Sequence, residues 1–260
     1  MRKTHYLLIL LFLLSVLYVV AEYASLFEYS EAAMALVVPV ISVFYLITCK
    51  RKTPYFTTFL VLYSLAYLFV LGGVSGIHKY LNYYVSNLLF ITAYVFLIYG
   101  VSKKIPFKGV VPRFNLTIII LVLLNSYVLY NLWSNDFSSE YFFRETSNII
   151  EKFPTEDDPL LRETMMSMLL EFVYNLVVLI LLNVSFINYL YRENKRAMLL
   201  FVGSLCVVFS EVIQYAIFYP SDVVILNVIC FLLILVGFLC FYLFAIYPVK
   251  KEALTFKAIQ

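Results

Sequence analysis

Lysine and arginine are sorted by loop in this chain, and that sorting constrains the fold more than any other feature. Eight long apolar runs are joined so that basic residues gather in every second connecting segment. The clusters are Arg2 and Lys3; Lys50, Arg51 and Lys52; Lys103, Lys104, Lys108 and Arg113; Arg192, Lys195 and Arg196; and Lys250, Lys251 and Lys257. Together they hold most of the 19 Lys and Arg residues. The alternate segments carry Glu28 and Glu31, then Lys79, then an acidic stretch from Asp136 to Glu163, then Asp222. Basic residues concentrate on the cytoplasmic side of multi-pass proteins. The pattern therefore predicts an all-α membrane protein, an eight-transmembrane-helix bundle with both N and C termini cytoplasmic. An even number of crossings returns the chain to its starting side, which agrees with basic residues at both ends.

Composition points to the same class. The chain is 63% hydrophobic and 13% charged, whereas soluble domains average about 45–50% apolar and about 25% charged residues. The net charge of +3 follows from the loop bias, so no nucleic-acid partner is expected. A hydrocarbon core of about 30 Å takes about 20 apolar residues per helix. On that basis helices are expected near 6–27, 32–49, 54–73, 80–101, 114–133, 165–190, 197–218 and 223–247. The loops are too short for a second domain, so 1–260 reads as a single bundle. The first helix has a basic start and small residues, Ala21 and Ala24, after its apolar run, as a secretory leader would. Its apolar run is longer than a leader's, and its removal would leave an odd number of crossings, so it is expected to be a span. The layout suits a multi-pass protein of a bacterial inner membrane.

No soluble-enzyme motif is present: the chain has no Walker loop, GxGxxG, HExxH or GxSxG. Cys49, Cys206, Cys230 and Cys240 lie in or at the ends of predicted helices and form no CxxC. His5 and His78 have no second ligand at helical spacing, so neither a metal nor a cofactor is expected. Of the 23 Tyr, many stand at predicted helix ends, Tyr83 among them, where amphipathic rings anchor at the headgroup level. Tyr18, Tyr45, Tyr63, Tyr67, Tyr94, Tyr127, Tyr174 and Tyr242 are deeper, and their hydroxyls need partners in a dry bundle. The outer loop, 134–164, carries Phe142, Phe143, Ile149, Ile150 and Phe153 at roughly helical intervals. An amphipathic helix is expected there, either a cover over helix ends or a lid over a lipid-accessible cavity.

Ionisable residues inside spans are costly and point to function. Glu171, Tyr174 and Asn175 are spaced to share one face of the sixth helix, and Glu211 and Gln214 do so on the seventh, beside Ser210. Polar helix faces in a bundle turn towards each other. With Glu22 and His78 on the same side, they form a candidate polar pocket open to the outer leaflet, where membrane lipids and a lipid-like ligand are the expected partners. Each residue also has a plainer reading: headgroup-level solvation for Glu22 and His78, interfacial burial for Glu171, and an interhelical hydrogen bond for Glu211.

The chain resembles the YhhN family of integral-membrane lysoplasmalogenases. The stretch Leu200 to Glu211, with Gly203 followed by an apolar run and then Ser210-Glu211, is similar to that family's seventh-helix pattern of Gly, apolar run and Ser-Asp. The preceding helix ends in Tyr191-Arg192-Glu193-Asn194-Lys195-Arg196, also similar in layout. The family's third-helix Gly-Asp pair is replaced here by Leu62-Tyr63-Ser64-Leu65-Ala66-Tyr67. Its second-helix Lys-Pro and its eighth-helix Tyr and Gln are also not reproduced. The resemblance implies an eight-helix membrane fold and hydrolysis of the vinyl-ether bond of a lysoplasmalogen, with Glu211 as the candidate carboxyl; Glu171, on another helix, is a second candidate by its position and not by a family motif. A non-catalytic bundle, such as a sensor, an assembly subunit or a small transporter, is the alternative, because one expected acid is missing.

Overall fold

The structure is a computed structural model that describes residues 2–49, 52–74, 79–106, 112, 114–138, 159–217 and 223–247. The expected amphipathic helix around Phe142 to Phe153 and His78 lie outside the described residues, and of Gln214 only the backbone is described.

Eight long helices make up the described structure: α1 (Arg2–Tyr23), α2 (Phe27–Thr48), α3 (Pro54–Val74), α4 (Lys79–Ser102), α5 (Asn115–Ser138), α6 (Pro159–Arg192), α7 (Lys195–Ile217) and α8 (Val223–Ile246). Among the described residues, seven are long and apolar enough to cross a membrane. At about 1.5 Å per residue, these helices match the thickness of a bilayer core. With backbone polar groups satisfied inside each helix, such segments are suited to lipid.

Two of the short turns use a left-handed residue that is not glycine. α1 stops at Tyr23 because Ser25 adopts φ 57, Leu26 N donates to Ala21 O at 2.8 Å and Ser25 N donates to Glu22 O at 3.1 Å. That pair of bonds is a Schellman cap, which satisfies the last carbonyls of the helix. Between α6 and α7, Glu193 adopts φ 48 and its N–H returns to Tyr189 O at 2.8 Å. Asn194 then caps α7, its Oδ1 accepting from Ala197 N at 2.8 Å.

The packing order is a closed ring. α1 lies against α2, α2 against α3, α3 against α4, α4 against α6, α6 against α7 and α7 against α8, and α8 returns to α1 and α2. α5 stands outside the ring, against α6. Its side chains are correspondingly open, with Leu116 73% and Leu123 64% exposed. In a bilayer that surface would meet lipid tails.

The middle of the ring is aromatic. Phe59 of α3 stacks on Phe238 of α8 at 5.9 Å and meets Phe241 edge-on at 5.7 Å. Tyr63, one turn along α3, lies 4.6 Å from Phe238. Lipid tails are as apolar as these side chains, so helix association depends on close packing and polar contacts. Close approach is most evident between α7 and α8. A Cβ on Gly203 would stand 2.7 Å from the Phe241 ring and 2.9 Å from the carbonyl oxygen of Gly237.

Candidate functional site

Glu22, Glu171 and Glu211 each accept a short hydrogen bond from a different neighbouring helix. Tyr174 of α6 donates its hydroxyl to Glu211 Oε1 of α7 at 2.6 Å. Tyr83 of α4 donates to Glu171 Oε1 of α6 at 2.6 Å. Asn227 of α8 donates Nδ2 to Glu22 Oε1 of α1 at 2.6 Å. An unpartnered carboxyl in an apolar bundle is costly. These bonds are how the fold accommodates all three.

The Glu211 end is the most elaborate. Tyr63 of α3 and Tyr94 of α4 share a hydrogen bond at 2.9 Å. The ring of Tyr94 lies 6.1 Å from that of Tyr174, and Phe90 lies 6.4 Å from Tyr174. Tyr67 packs against Tyr63 at 5.5 Å. Four phenols from three helices thus form one cluster, and its member Tyr174 bonds to Glu211 on a fourth helix. Among the described residues, Tyr174 is the hydrogen-bond partner of Glu211, and it takes Oε1.

α6 divides its polar face between two neighbours. Glu171 and Tyr174 share one face of α6, but Glu171 turns to α4 and Tyr174 to α7. Asn175 is buried beside them. Ser210 and Glu211 are adjacent in α7 and diverge in the same way. Ser210 Oγ donates to Cys230 O at 3.4 Å, and Cys230 Sγ donates to Ser210 O at 3.5 Å, so Ser210 faces α8. Glu22 belongs to a separate centre. There Tyr18 donates to Asn227 O at 3.3 Å and stacks on Phe231 at 4.0 Å.

The site therefore contains residues the sequence did not single out as such. Tyr83 sits near a helix end, which reads as a headgroup anchor, yet its hydroxyl serves Glu171. Tyr63 and Tyr67 flank Ala66, which is fully buried on α3; their spacing along one helix is the trace the sequence offers of the cluster they share. No group of three His, Cys, Asp or Glu side chains able to hold a metal occurs among the described residues. Chemically, the Glu211 centre offers a carboxyl that can accept a hydrogen bond or transfer a proton, phenols that can donate, and an apolar aromatic wall. No family model, curated protein or solved structure matches the chain.

Proposed function

We propose that this multi-pass membrane protein recognises a lipid-like amphiphile at the Glu211–Tyr174 centre and hydrolyses its vinyl-ether bond, as the YhhN resemblance implies. The proposed setting is a bacterial inner membrane with both chain ends cytoplasmic. The observation that carries this reading is the 2.6 Å Tyr174–Glu211 hydrogen bond beside the phenols of Tyr63, Tyr67 and Tyr94. One carboxyl can serve both proton transfers of such a hydrolysis. Glu211 gives its proton to the alkene carbon remote from the ether oxygen, and water adds to the carbon left electron-poor. The carboxylate takes a proton back from that water to give the neutral hemiacetal, which separates into a fatty aldehyde and a glycerol hydroxyl as its own O–H proton passes to the ether oxygen. Tyr174 would hold the carboxyl in place through these changes of charge. Glu171 and Asn175 would shape the neighbouring polar face of α6.

A second reading, a non-catalytic lipid-binding bundle, draws on one observation. Ala66 stands where the resemblance calls for an acid, and Glu171 is committed to Tyr83. The two readings separate in a single assay. Purified protein in nanodiscs is given a 1-alkenyl lysophospholipid, and fatty aldehyde is measured by mass spectrometry. Release that Glu211→Gln abolishes supports hydrolysis. Retention of the intact lipid without aldehyde, weakened by Glu211→Gln, supports the binding reading. Neither release nor retention sinks both.

A further inference from the structure

The opposite end of the bundle holds an arrangement of like charges that the Glu211 centre does not use. Lys104 lies just beyond the end of α4, Arg192 is the last residue of α6, and Arg196 is in the first turn of α7. Arg192 donates Nε to Asn188 Oδ1 at 2.9 Å and Nη2 to Lys104 O at 3.0 Å. Arg196 donates Nε to Phe244 O at 2.9 Å, and its guanidinium lies 4.7 Å from the centre of the Phe244 ring. The ends of α4, α6, α7 and α8 are thus drawn together by two arginines whose positions are fixed by protein atoms.

The electrostatics of that junction are one-sided. Partial burial, then the charges of Arg196 and Arg192, hold the Lys104 ammonium below its ordinary pKa. The N-terminus of α7 adds the positive end of a helix dipole, where acidic residues are favoured. Its first turn instead carries Lys195 and Arg196 and has no acid. Glu193, the carboxylate of this turn, is exposed, and Arg192 and Arg196 donate to the oxygens of Asn188, Lys104 and Phe244 rather than to a carboxylate. Carbonyl bonds at helix ends account for where the arginines point. They do not account for a third cation and a helix N-terminus brought to the same place.

We propose that Lys104, Arg192 and Arg196, with the N-terminus of α7, form a binding site for an anionic phosphate group at the basic end of the bundle. The guanidinium N–H groups left over from the carbonyl bonds suit phosphate oxygens, and the positive end of the α7 dipole favours the same anion although Asn194 already caps its Ala197 N–H. The residues lie level with the ends of four helices, the depth at which a phospholipid headgroup would sit. The same chemistry would take a phosphate from the aqueous phase, and the test distinguishes the two.

Full-length protein is reconstituted in nanodiscs of phosphatidylcholine, with or without phosphatidylglycerol. Lipid retention is read by native mass spectrometry, and the thermal midpoint is read in parallel. The expected result is selective retention of phosphatidylglycerol, weakened roughly fivefold for each charge removed by Lys104→Gln or Arg196→Gln. Lys3→Gln removes a charge from the same end, on α1, and should leave retention unchanged. A rise in the thermal midpoint on adding inorganic phosphate to phosphatidylcholine discs, lost in both variants, would instead assign the site to a soluble phosphate. If Arg196→Gln fails to fold, Lys104→Gln suffices, because that side chain makes no hydrogen bond among the described residues. It should melt no lower than wild type in phosphatidylcholine alone, since it relieves repulsion, and should lose the gain that the anion gives. No gain from either phosphate source, or an equal loss in Lys3→Gln, overturns the proposal.

Discussion

Tyr174 reaches from α6 to Glu211 on α7 and donates a hydrogen bond of 2.6 Å. The contact ties two neighbouring helices and gives Glu211 its hydrogen-bond partner among the described residues. Tyr174→Phe keeps the ring and its packing against Phe90 and Tyr94 while removing the donor. Hydrogen bonds within membrane bundles contribute about 0.6 kcal/mol on average and up to about 1.7 kcal/mol, so a loss in that range is expected. Unfolding by a denaturing detergent, followed by circular dichroism, would measure it. A variant as stable as wild type would show that the bond contributes nothing to the fold.

Glu22 and Asn227 should behave as a coupled pair, apart from Glu211. They are joined at 2.6 Å, on the far side of the ring from α6. In a double-mutant cycle, Glu22→Gln and Asn227→Ala should interact, whereas Glu22→Gln and Tyr174→Phe should be additive within about 0.5 kcal/mol. Strong coupling between Glu22 and Tyr174 would mean that the two centres communicate.

Gly203→Ala should destabilise the α7–α8 contact. The added methyl would sit 2.7 Å from the Phe241 ring and 2.9 Å from Gly237 O, and the backbone carbonyl cannot swing aside as a side chain could. Overpacking of this kind costs about 1–3 kcal/mol. Phe241→Leu in the same chain should recover part of the loss. No drop in thermal midpoint for the single variant would indicate that α7 and α8 separate easily.

Topology depends on α5. If it crosses the membrane, both ends of the chain lie on one side. Cysteines introduced at Ser134 and at Lys104 should then react with impermeant reagents from opposite faces. Labelling of both from the same face would mean that α5 lies along the surface.

The eight helices were legible because their apolar length leaves few alternatives in sequence. Helix ends were less so. α1 stops at Tyr23, short of the expected 27, because Ser25 takes a left-handed conformation that glycine usually fills. Pairing between faces was the least legible. Spacing groups Glu171 with Tyr174 on one face, but only the positions of α4 and α7 separate their partners. Likewise Ser210 and Glu211 are adjacent letters, yet one bonds to α8 and the other to α6. Tyr83 looked interfacial because depth was inferred from distance to a helix end, which does not say which neighbour a ring will meet.

The bond between Glu22 and Asn227 spans 205 residues of chain. A ribosome adding about 5–20 residues per second would therefore leave Glu22 without its amide for roughly 10–40 s. During that interval the nascent protein must keep the carboxyl hydrated near the membrane surface, bind a proton to it, or shelter it within the insertion machinery. α8 thus completes the environment of α1 long after α1 has emerged, and biogenesis of this protein carries a waiting step that its finished structure no longer displays.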